Sequence, residues 1–336
     1  MRCRISSWNI LHNLESTRIK KFAYCSPESL LARYRIPKII NRLLSLDSDI
    51  VCLQELDASI LPSLEKAIAS KYSIGAASLN ESLPARDGCG ILYNPAAFDL
   101  VETRVVRFCD LLEKHLPSLG EYSRNSESAI CLSRAMNREV REKLNMAVFS
   151  HLKHIETGDM LTVGSSHLYW DPAFPDIKLL QAYLLACESS DLSPNGPLVI
   201  GADLNSIPHV SGVYELLMGS GKVPIHHKEH PVTYRSNSKN KTLKGVSPEA
   251  VPELSNPSIF RSGMKEWLGS EPTHTNYTSS FKGCLDYIML RGPLKVVGGE
   301  PLPLDSVLSS EVALPNSVIP SDHLPLTVDL EFSPIS

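Results

Sequence analysis

Residues 321–332 read S-D-H-L-P-L-T-V-D-L-E-F. Leu324, Leu326, Val328, Leu330 and Phe332 alternate with Pro325, Thr327, Asp329 and Glu331, the period of two that marks a half-buried strand. An acid and a histidine, Asp322 and His323, stand at its start. The same pairing of apolar strand and polar cluster recurs upstream. S-S-W-N closes a strand at Asn9, and D-I-V-C-L-Q-E closes another at Glu55. L-T-V-G-S-S-H reaches His167 and runs on through L-Y-W-D-P to Pro172. P-L-V-I-G-A-D reaches Asp203, with Asn205 two residues later, and C-L-D-Y-I-M carries Asp286. Strand ends of this kind converge on one edge of a sheet core, where a rigid scaffold holds the groups that do chemistry.

Outward from these motifs, strand-like runs at 3–10, 49–53, 90–93, 145–152, 160–168, 197–202, 284–290 and 323–332 alternate with helical ones. The spacing predicts helices over 35–46, with Ile36, Ile39, Ile40, Leu43 and Leu44 on one face, and over 176–190. Shorter helices are expected at 59–70 and 211–218. Motifs near both chain ends, at Asn9 and His323, are needed for one site, so residues 1–336 read as one large α/β domain. Residues 219–272 break the pattern. They hold His226, His227, Lys228, His230, Arg235, Lys239, Lys241 and Lys244 among Ser, Asn and Pro with little periodicity, and are expected to form a surface insertion. The three histidines read as part of a solvated basic loop, since no helical pattern would bring them together as ligands.

Composition narrows the function. Hydrophobic residues make up 43% and charged ones 21% of the 336, which excludes disorder as the main state. A net charge of −4, from 33 Lys+Arg against 37 Asp+Glu, argues against binding of nucleic acid through a broad basic surface. No stretch approaches the ~20 apolar residues that cross a bilayer, so no membrane partner is expected. The eight cysteines form no C-x-x-C pair, which suits buried thiols in a reducing compartment. The cytoplasm is the expected location, with mitochondria and nucleus as the alternatives.

Taken singly, each polar strand end has a plainer explanation. Asn9 suits a turn, Glu55 a solvated strand end, Asp203 and Asn205 turn formers before Pro208, and Asp322 a cap. Turn chemistry does not call for two histidines and several carboxylates beside buried strands. Glu55, Asp203, Asp286 and Asp322 would repel one another unless protonated or bound to a metal, and oxygen donors without thiolate suit Mg²⁺ or Mn²⁺. A divalent cation would draw a phosphate into an acidic pocket and polarise it. His167 and His323 can donate to phosphoryl oxygens, and Asp203 with Asn205 can accept a proton from water and orient it. No Ser or Cys lies in a nucleophile-elbow context, so water is the expected nucleophile.

The motifs W-N-I-L, Q-E-L, D-G-C-G-I-L-Y, S-H-L-Y-W-D-P, G-A-D-L-N-S-I-P, T-N-Y-T-x-x-F-K-G-C-L-D-Y-I and S-D-H-L-P-L, in that order, resemble the endonuclease/exonuclease/phosphatase superfamily. Within it the sequence is most similar to the carbon-catabolite-repressor deadenylases, nocturnin and the angel proteins, from about residue 4 to residue 330. The resemblance implies a four-layer α/β sandwich of two packed, mainly antiparallel β-sheets flanked by helices. It also implies Mg²⁺-dependent phosphodiester hydrolysis with one or two ions, Mn²⁺ being a substitute.

Carried over by position, Glu55 is the principal metal ligand, Asn9 helps hold metal and phosphate, and Asp322 is a supporting or second-metal ligand. Asp203 and Asn205 activate and orient water, Asp286 pairs with His323, and His167 contacts the scissile phosphate. Pro172 and Phe281 would sandwich a terminal adenine, with Phe281 otherwise an ordinary loop aromatic. Ala202 stands where the family usually has Gly. Residues 1–336 contain no leucine-rich-repeat docking region, so the docking that the repressor-type deadenylases use is not expected.

The implied activity is a 3′→5′ exoribonuclease acting on adenine-rich RNA 3′ tails and releasing 5′-AMP. The alternatives are a 2′,5′-oligoadenylate phosphodiesterase, an NADP(H) 2′-phosphatase and, from another class, a catalytically inactive RNA-binding module. A DNA-repair endonuclease or lipid phosphatase would leave the adenine-sandwich motifs unexplained.

Overall fold

The structure is a computed structural model that describes residues 1–13, 20–79, 87–115, 145–172, 174–208, 210–224, 253–303, 308 and 311–332. Its strands begin with β1 (Arg2–Asn9), β2 (Ile50–Asp57), β3 (Ser73–Leu79), β4 (Asp87–Tyr93) and β5 (Phe98–Arg107). Next come β6 (Met146–His154), β7 (Met160–His167), β8 (Leu198–Asp203), β9 (Lys222–Pro224), β10 (Glu253–Ser255) and β11 (Arg261–Ser262). β12 (Asn276–Tyr277), β13 (Lys282–Gly283), β14 (Asp286–Arg291), β15 (Leu294–Gly299) and β16 (Leu326–Phe332) follow. Helices cover Ala32–Ser45, Leu61–Ile68, Phe108–His115, Pro175–Leu192, Gly212–Met218 and Gly263–Leu268.

Two six-stranded sheets form the centre, ordered β15-β16-β1-β2-β4-β3 and β11-β14-β8-β7-β6-β5. Each is antiparallel except for one central parallel pair, β1 with β2 and β7 with β8. Alternation along the strands decides what each face touches. In β2, Ile50 and Cys52 join Ile5, Ile91, Val163, Val199 and Ile288 between the sheets. Val51 and Leu53 point the other way, onto Ile39, Leu43, Leu64 and Ile68 of the helices Ala32–Ser45 and Leu61–Ile68. Burial on both faces is why β2 reads as an unbroken apolar run rather than an alternating one. On the far side, Ile200, Tyr287 and Met289 pack with Leu180, Leu184 and Leu217 from the helices Pro175–Leu192 and Gly212–Met218. The result is helix, sheet, sheet, helix: the four-layer sandwich that the motifs imply. In β16, Leu326, Val328 and Leu330 are fully buried, each such side chain contributing about 1.5–3 kcal/mol of transfer free energy.

Between the sheets lies a polar floor. Gln54 Nε2 donates to Ser7 Oγ (3.3 Å), Ser165 Oγ (3.1 Å) and the Gly201 carbonyl (3.1 Å). That reach needs a close approach of the sheets: a Cβ at Gly201 would lie 2.5 Å from Cys52 Cβ and 2.6 Å from Ser7 Oγ. A glycine is required there.

Three of the strands longer than three residues, β3, β5 and β15, were not foreseen. β5 is an edge strand exposed along most of its length, so it shows no clean alternation, while β3 and β15 are the opposite edge strands of the first sheet and are only partly buried. The 219–272 reading needs correction at its described flanks. β9 pairs with β10 and β11 pairs with β14, and Val223, Leu254 and Phe260 lie in the core beneath the second sheet. Met264 is buried between the sheets. Strands of two or three residues are too short to display a period, so this core-forming sequence looked like loop. Residues 225–252, including His226, His227 and His230, lie outside the described residues.

Candidate active site

Register brings the polar strand ends together. Asn9, the last residue of β1, sits opposite Gln54, the residue before Glu55. In the second sheet Asp203 at the end of β8 faces both His167 on β7 and Asp286 on β14. Two backbone irregularities aim the side chains. The β2–β4 register shifts between Gln54 and Leu56, and Glu55 at this bulge has φ +54°. Asn205 has φ +48°. Non-glycine residues take this left-handed conformation uncommonly, and such residues gather where a site over-determines them.

The sheets are joined by Asn9. Its Nδ2 donates to Glu55 Oε1 at 3.1 Å and to Asp203 Oδ2 at 2.9 Å, so one fully buried amide bridges a carboxylate from each sheet. Glu55 Oε2 accepts from the His12 backbone N–H at 3.0 Å and also meets His12 Nδ1. Burial alone would raise the Glu55 pKa, but the His12 ring bond, the charges of His12 and His167 and the His12 amide hold it well below the usual carboxylate range. Glu55 is therefore ionised.

Around Asp203 stand both histidines, with His167 Nε2 at 3.4 Å and His323 Nε2 at 3.7 Å from its Oδ2. His323 Nδ1 lies 2.8 Å from Asp286 Oδ2, which also accepts from Thr275 Oγ1 at 2.5 Å. Thr275 Oγ1 in turn accepts from the Leu285 and Asp286 amides (2.9 and 3.0 Å). Burial opposes charge on His323, yet Asp286, Asp203 and Asp322 hold its pKa well above the ordinary value. The imidazolium form is favoured, with Nδ1 tied to Asp286 and Nε2 turned toward Asp203. On the other flank, Asn205 N–H donates to Asp203 Oδ1 (2.9 Å), and Asn205 Nδ2 bonds the Leu168 carbonyl (3.0 Å) and His167 Nε2 (2.9 Å).

Asp322 is buried and accepts from Asn276 Nδ2 at 3.4 Å. Burial raises its pKa, His323 opposes this, and Glu55 adds to it. Its Oδ1 and the Oδ1 of Asp286 are buried without a hydrogen-bond partner among the described residues. Unused carboxylate lone pairs beside an ionised Glu55 and the Asn9 amide form an oxygen-rich donor set. These residues fit a hard divalent cation. Asp203, Asp286 and His323 also present donor atoms within 4.8 Å of one another. Among the described residues the other such group, His115 with Glu188 and Asp191, is an ion-pair network, because Lys114 Nζ already bonds both carboxylates at 2.6 and 2.8 Å.

Of the expected site residues, Asn9, Glu55, His167, Asp203, Asn205, Asp286 and His323 are joined by the contacts above, and Asp322 adjoins them through His323 and Glu55. Pro172 and Phe281 are both exposed. Pro172 lies on the loop after β7. Phe281 lies on the turn between β12 and β13, with its ring over Gly283 and near Ile207, two residues beyond Asn205.

Several functional-site neighbours went unread in the sequence. Arg35, 2% exposed, gives its guanidinium to the carbonyls of Ile10 (2.9 Å), Leu11, His12 (3.2 Å) and Pro320 (2.6 Å). It thus clamps the loops after β1 and before β16. Burial pushes its pKa down to about 10 against the pull of Asp322, Glu55 and Asp57, which leaves it charged at neutral pH. His12 and Thr275 were also missed. The signal for Arg35 was present: it falls four residues before Ile39 and eight before Leu43, on the buried stripe of its helix.

The sequence profile of the Endonuclease/Exonuclease/phosphatase family matches residues 6–323. The CCR4-Not complex 3′-5′-exoribonuclease subunit Ccr4 of Candida glabrata is 30% identical over 93% of this chain and 35% of its own. Human 2′,5′-phosphodiesterase 12 is 28% identical over 98% of this chain and 51% of its own. The chain thus spans about a third to a half of these relatives. Among solved structures, ANGEL2, a 2′,3′-cyclic phosphatase, in complex with adenosine-2′,3′-vanadate superposes with a TM-score of 0.75 at 20% identity, covering 99% of this chain and 96% of that one. That likeness concerns the fold.

Proposed function

Because the chain belongs to the endonuclease/exonuclease/phosphatase family, a family of hydrolases, we propose that it is a Mg²⁺-dependent 3′→5′ exoribonuclease. It shortens adenine-rich RNA tails and releases 5′-AMP. The family generally uses a divalent metal. The observation that carries the reading is the Asn9 bridge between Glu55 and Asp203, with His167 and His323 against the same Asp203 oxygen.

Glu55, Asn9 and Asp322 would hold the cation. When bound, a divalent cation supplies Lewis-acid polarisation of the phosphate and neutralises its charge. Asp203 accepts a proton from the attacking water, and Asn205, fixed by its bonds to Leu168 and His167, orients that water and contacts the phosphate. His323, kept protonated by Asp286, Asp203 and Asp322, donates from Nε2 to the phosphoryl oxygen on which charge grows. His167 contacts the same phosphate. Asp286 fixes the His323 ring through Nδ1, and Thr275 fixes Asp286. Phe281 and Pro172 hold the terminal adenine, stacking on the aromatic ring contributing roughly 1–3 kcal/mol.

A second reading has its own support. The similarity to human 2′,5′-phosphodiesterase 12 over 98% of this chain favours hydrolysis of 2′,5′-linked oligoadenylate by the same residues. The deciding experiment offers the protein, with Mg²⁺, an RNA with an A-tail, the same RNA with a mixed tail, 2′,5′-oligoadenylate and NADPH. Preferential shortening of the A-tail with 5′-AMP release supports the first reading. Equal degradation of all RNA tails removes the adenine-holding role of Phe281 and Pro172. Turnover of the 2′,5′-linked substrate or NADPH alone replaces the first reading. A cytoplasmic location belongs to the same proposal and rests on the free thiols among the described residues, of which Cys3, Cys25, Cys52, Cys89, Cys187 and Cys284 are buried. Imaging of the tagged protein tests it.

A further inference from the structure

One buried charge near the site has no part in the chemistry above. Lys178 is 6% exposed and sits in the first turns of the helix Pro175–Leu192. Its Nζ donates to the backbone carbonyl of Asn205 at 2.8 Å. Among the described residues no carboxylate comes within ion-pair distance of it. Burying an ammonium without such a partner is unfavourable. The helix does not need a charge to pack here, since the adjacent Leu179 and Leu180 are buried as ordinary core residues. Burial lowers the Lys178 pKa to about 8 even with Asp203 and Asp171 nearby, so the group is still protonated at neutral pH.

The carbonyl it holds belongs to a residue with little freedom. Asn205 takes φ +48°, a conformation that must be over-determined to persist. Its N–H is tied to Asp203, and its side-chain amide to Leu168 and His167. Lys178 supplies the remaining anchor, on the carbonyl. If the Asn205 peptide turned, Nδ2 would leave the His167 side of Asp203.

We propose that Lys178 is a positioning residue that acts through Asn205: by holding the Asn205 carbonyl inward, it keeps the side-chain amide facing the attacking water and His167. This rests on the phosphodiesterase reading of the site. Lys178→Met keeps the length of the side chain and removes the donor.

The test compares Lys178→Met, Asn205→Ala and the double variant under saturating Mg²⁺ on a short A-tailed RNA. Lys178→Met is expected to lower kcat about 10-fold or more with KM changed by less than about 2-fold. The double variant is expected to be no slower than Asn205→Ala, because a residue acting only through Asn205 has nothing left to act on. Lys178→Arg, which retains a donor, should recover part of the loss. Multiplying effects in the double variant, or an unchanged kcat in Lys178→Met, overturn the proposal. A readout independent of activity separates it from the site assignment. The Asn205 side-chain amide signal in a ¹⁵N spectrum, identified by its loss in Asn205→Ala, should shift or broaden in Lys178→Met. An unmoved signal refutes the positioning role even if the enzyme is active. A moved signal in a protein that cleaves none of the substrates retains the positioning role and discards the reaction.

Discussion

Asp286→Asn removes one charge from the site while keeping its shape. In the native protein Asp286 Oδ2 accepts from His323 Nδ1 at 2.8 Å and from Thr275 Oγ1 at 2.5 Å. With an amide in its place, His323 loses the nearest of the carboxylates that keep it protonated, and its ring loses its fixed orientation. A hydrogen bond to a charged group contributes about 1.5–3 kcal/mol, and each 1.36 kcal/mol is tenfold in rate. If the variant loses transition-state stabilisation of that size, kcat should fall roughly 10- to 160-fold. The assay is single-turnover cleavage of a 5′-labelled A-tailed RNA at saturating Mg²⁺, paired with Mn²⁺ binding followed by electron paramagnetic resonance. Mn²⁺ affinity should stay within about 3-fold of the native value, because Asp286 is assigned to His323 and not to the metal. Thr275→Val loses a hydroxyl bond to the Asp286 carboxylate but leaves that charge beside His323, so it should show a smaller loss of kcat in the same direction. An Asp286→Asn enzyme with native kcat refutes the reasoning. So does a variant whose whole defect is weaker Mn²⁺ binding, which would make Asp286 a ligand beside Asp203 and His323, as their 4.8 Å grouping allows.

Arg35→Met should lower stability by about 2–4 kcal/mol, since buried carbonyls of both site loops lose a charged donor. Chemical denaturation reads this, and a change below about 0.5 kcal/mol would show that the clamp contributes little. The pH dependence follows from the raised His323 pKa. A raised folded-state value gives stability that is complete below the unfolded value of about 6.5 and is lost as pH rises through the folded one. The melting temperature of chelator-treated protein should therefore decline over that rise, and His323→Gln should decline less; equal slopes would assign the effect elsewhere. Phe281→Ala should erase the preference for A-tailed over mixed-tail RNA while leaving Mn²⁺ affinity unchanged, and a retained preference removes Phe281 from base recognition.

How much of this was legible in the sequence depends on burial. β16 and β2 stood out because most of their side chains are committed to packing, either alternately or on both faces. β5 did not, because an exposed edge strand carries no packing constraint on most of its side chains. At the site, Asn9, Glu55, Asp203 and His323 were legible because acids, amides and histidines are out of place at the ends of apolar strands. Arg35 was marked only by its spacing from Ile39 and Leu43 on the buried stripe of its helix, and Lys178 was not marked at all, because a cation on a helix is ordinary until the helix is seen to be buried on that side. Thr275 was hidden for a simpler reason: nothing distinguishes one threonine in T-H-T-N-Y-T until Asp286 folds against it. The bulge that turns Glu55 inward leaves no mark in Q-E-L at all, since it is a property of how β2 meets β4.

The pairing of β16 with β1 has a consequence for how the protein comes into being. The first sheet joins its earliest strand, β1, to its latest, β16, and Asp322 and His323 arrive just ahead of that last-made strand. During synthesis β1 must wait, one row of its backbone donors and acceptors unmatched, until its partner residues Leu326–Glu331 have emerged. Long-range pairing of this kind is slow to form, and an unpaired central strand is a template for association with other chains. A chain terminated before Asp322 would therefore differ from the intact protein in kind. It would lose its histidine, and it would also present a sticky sheet edge for chaperones and proteases to find.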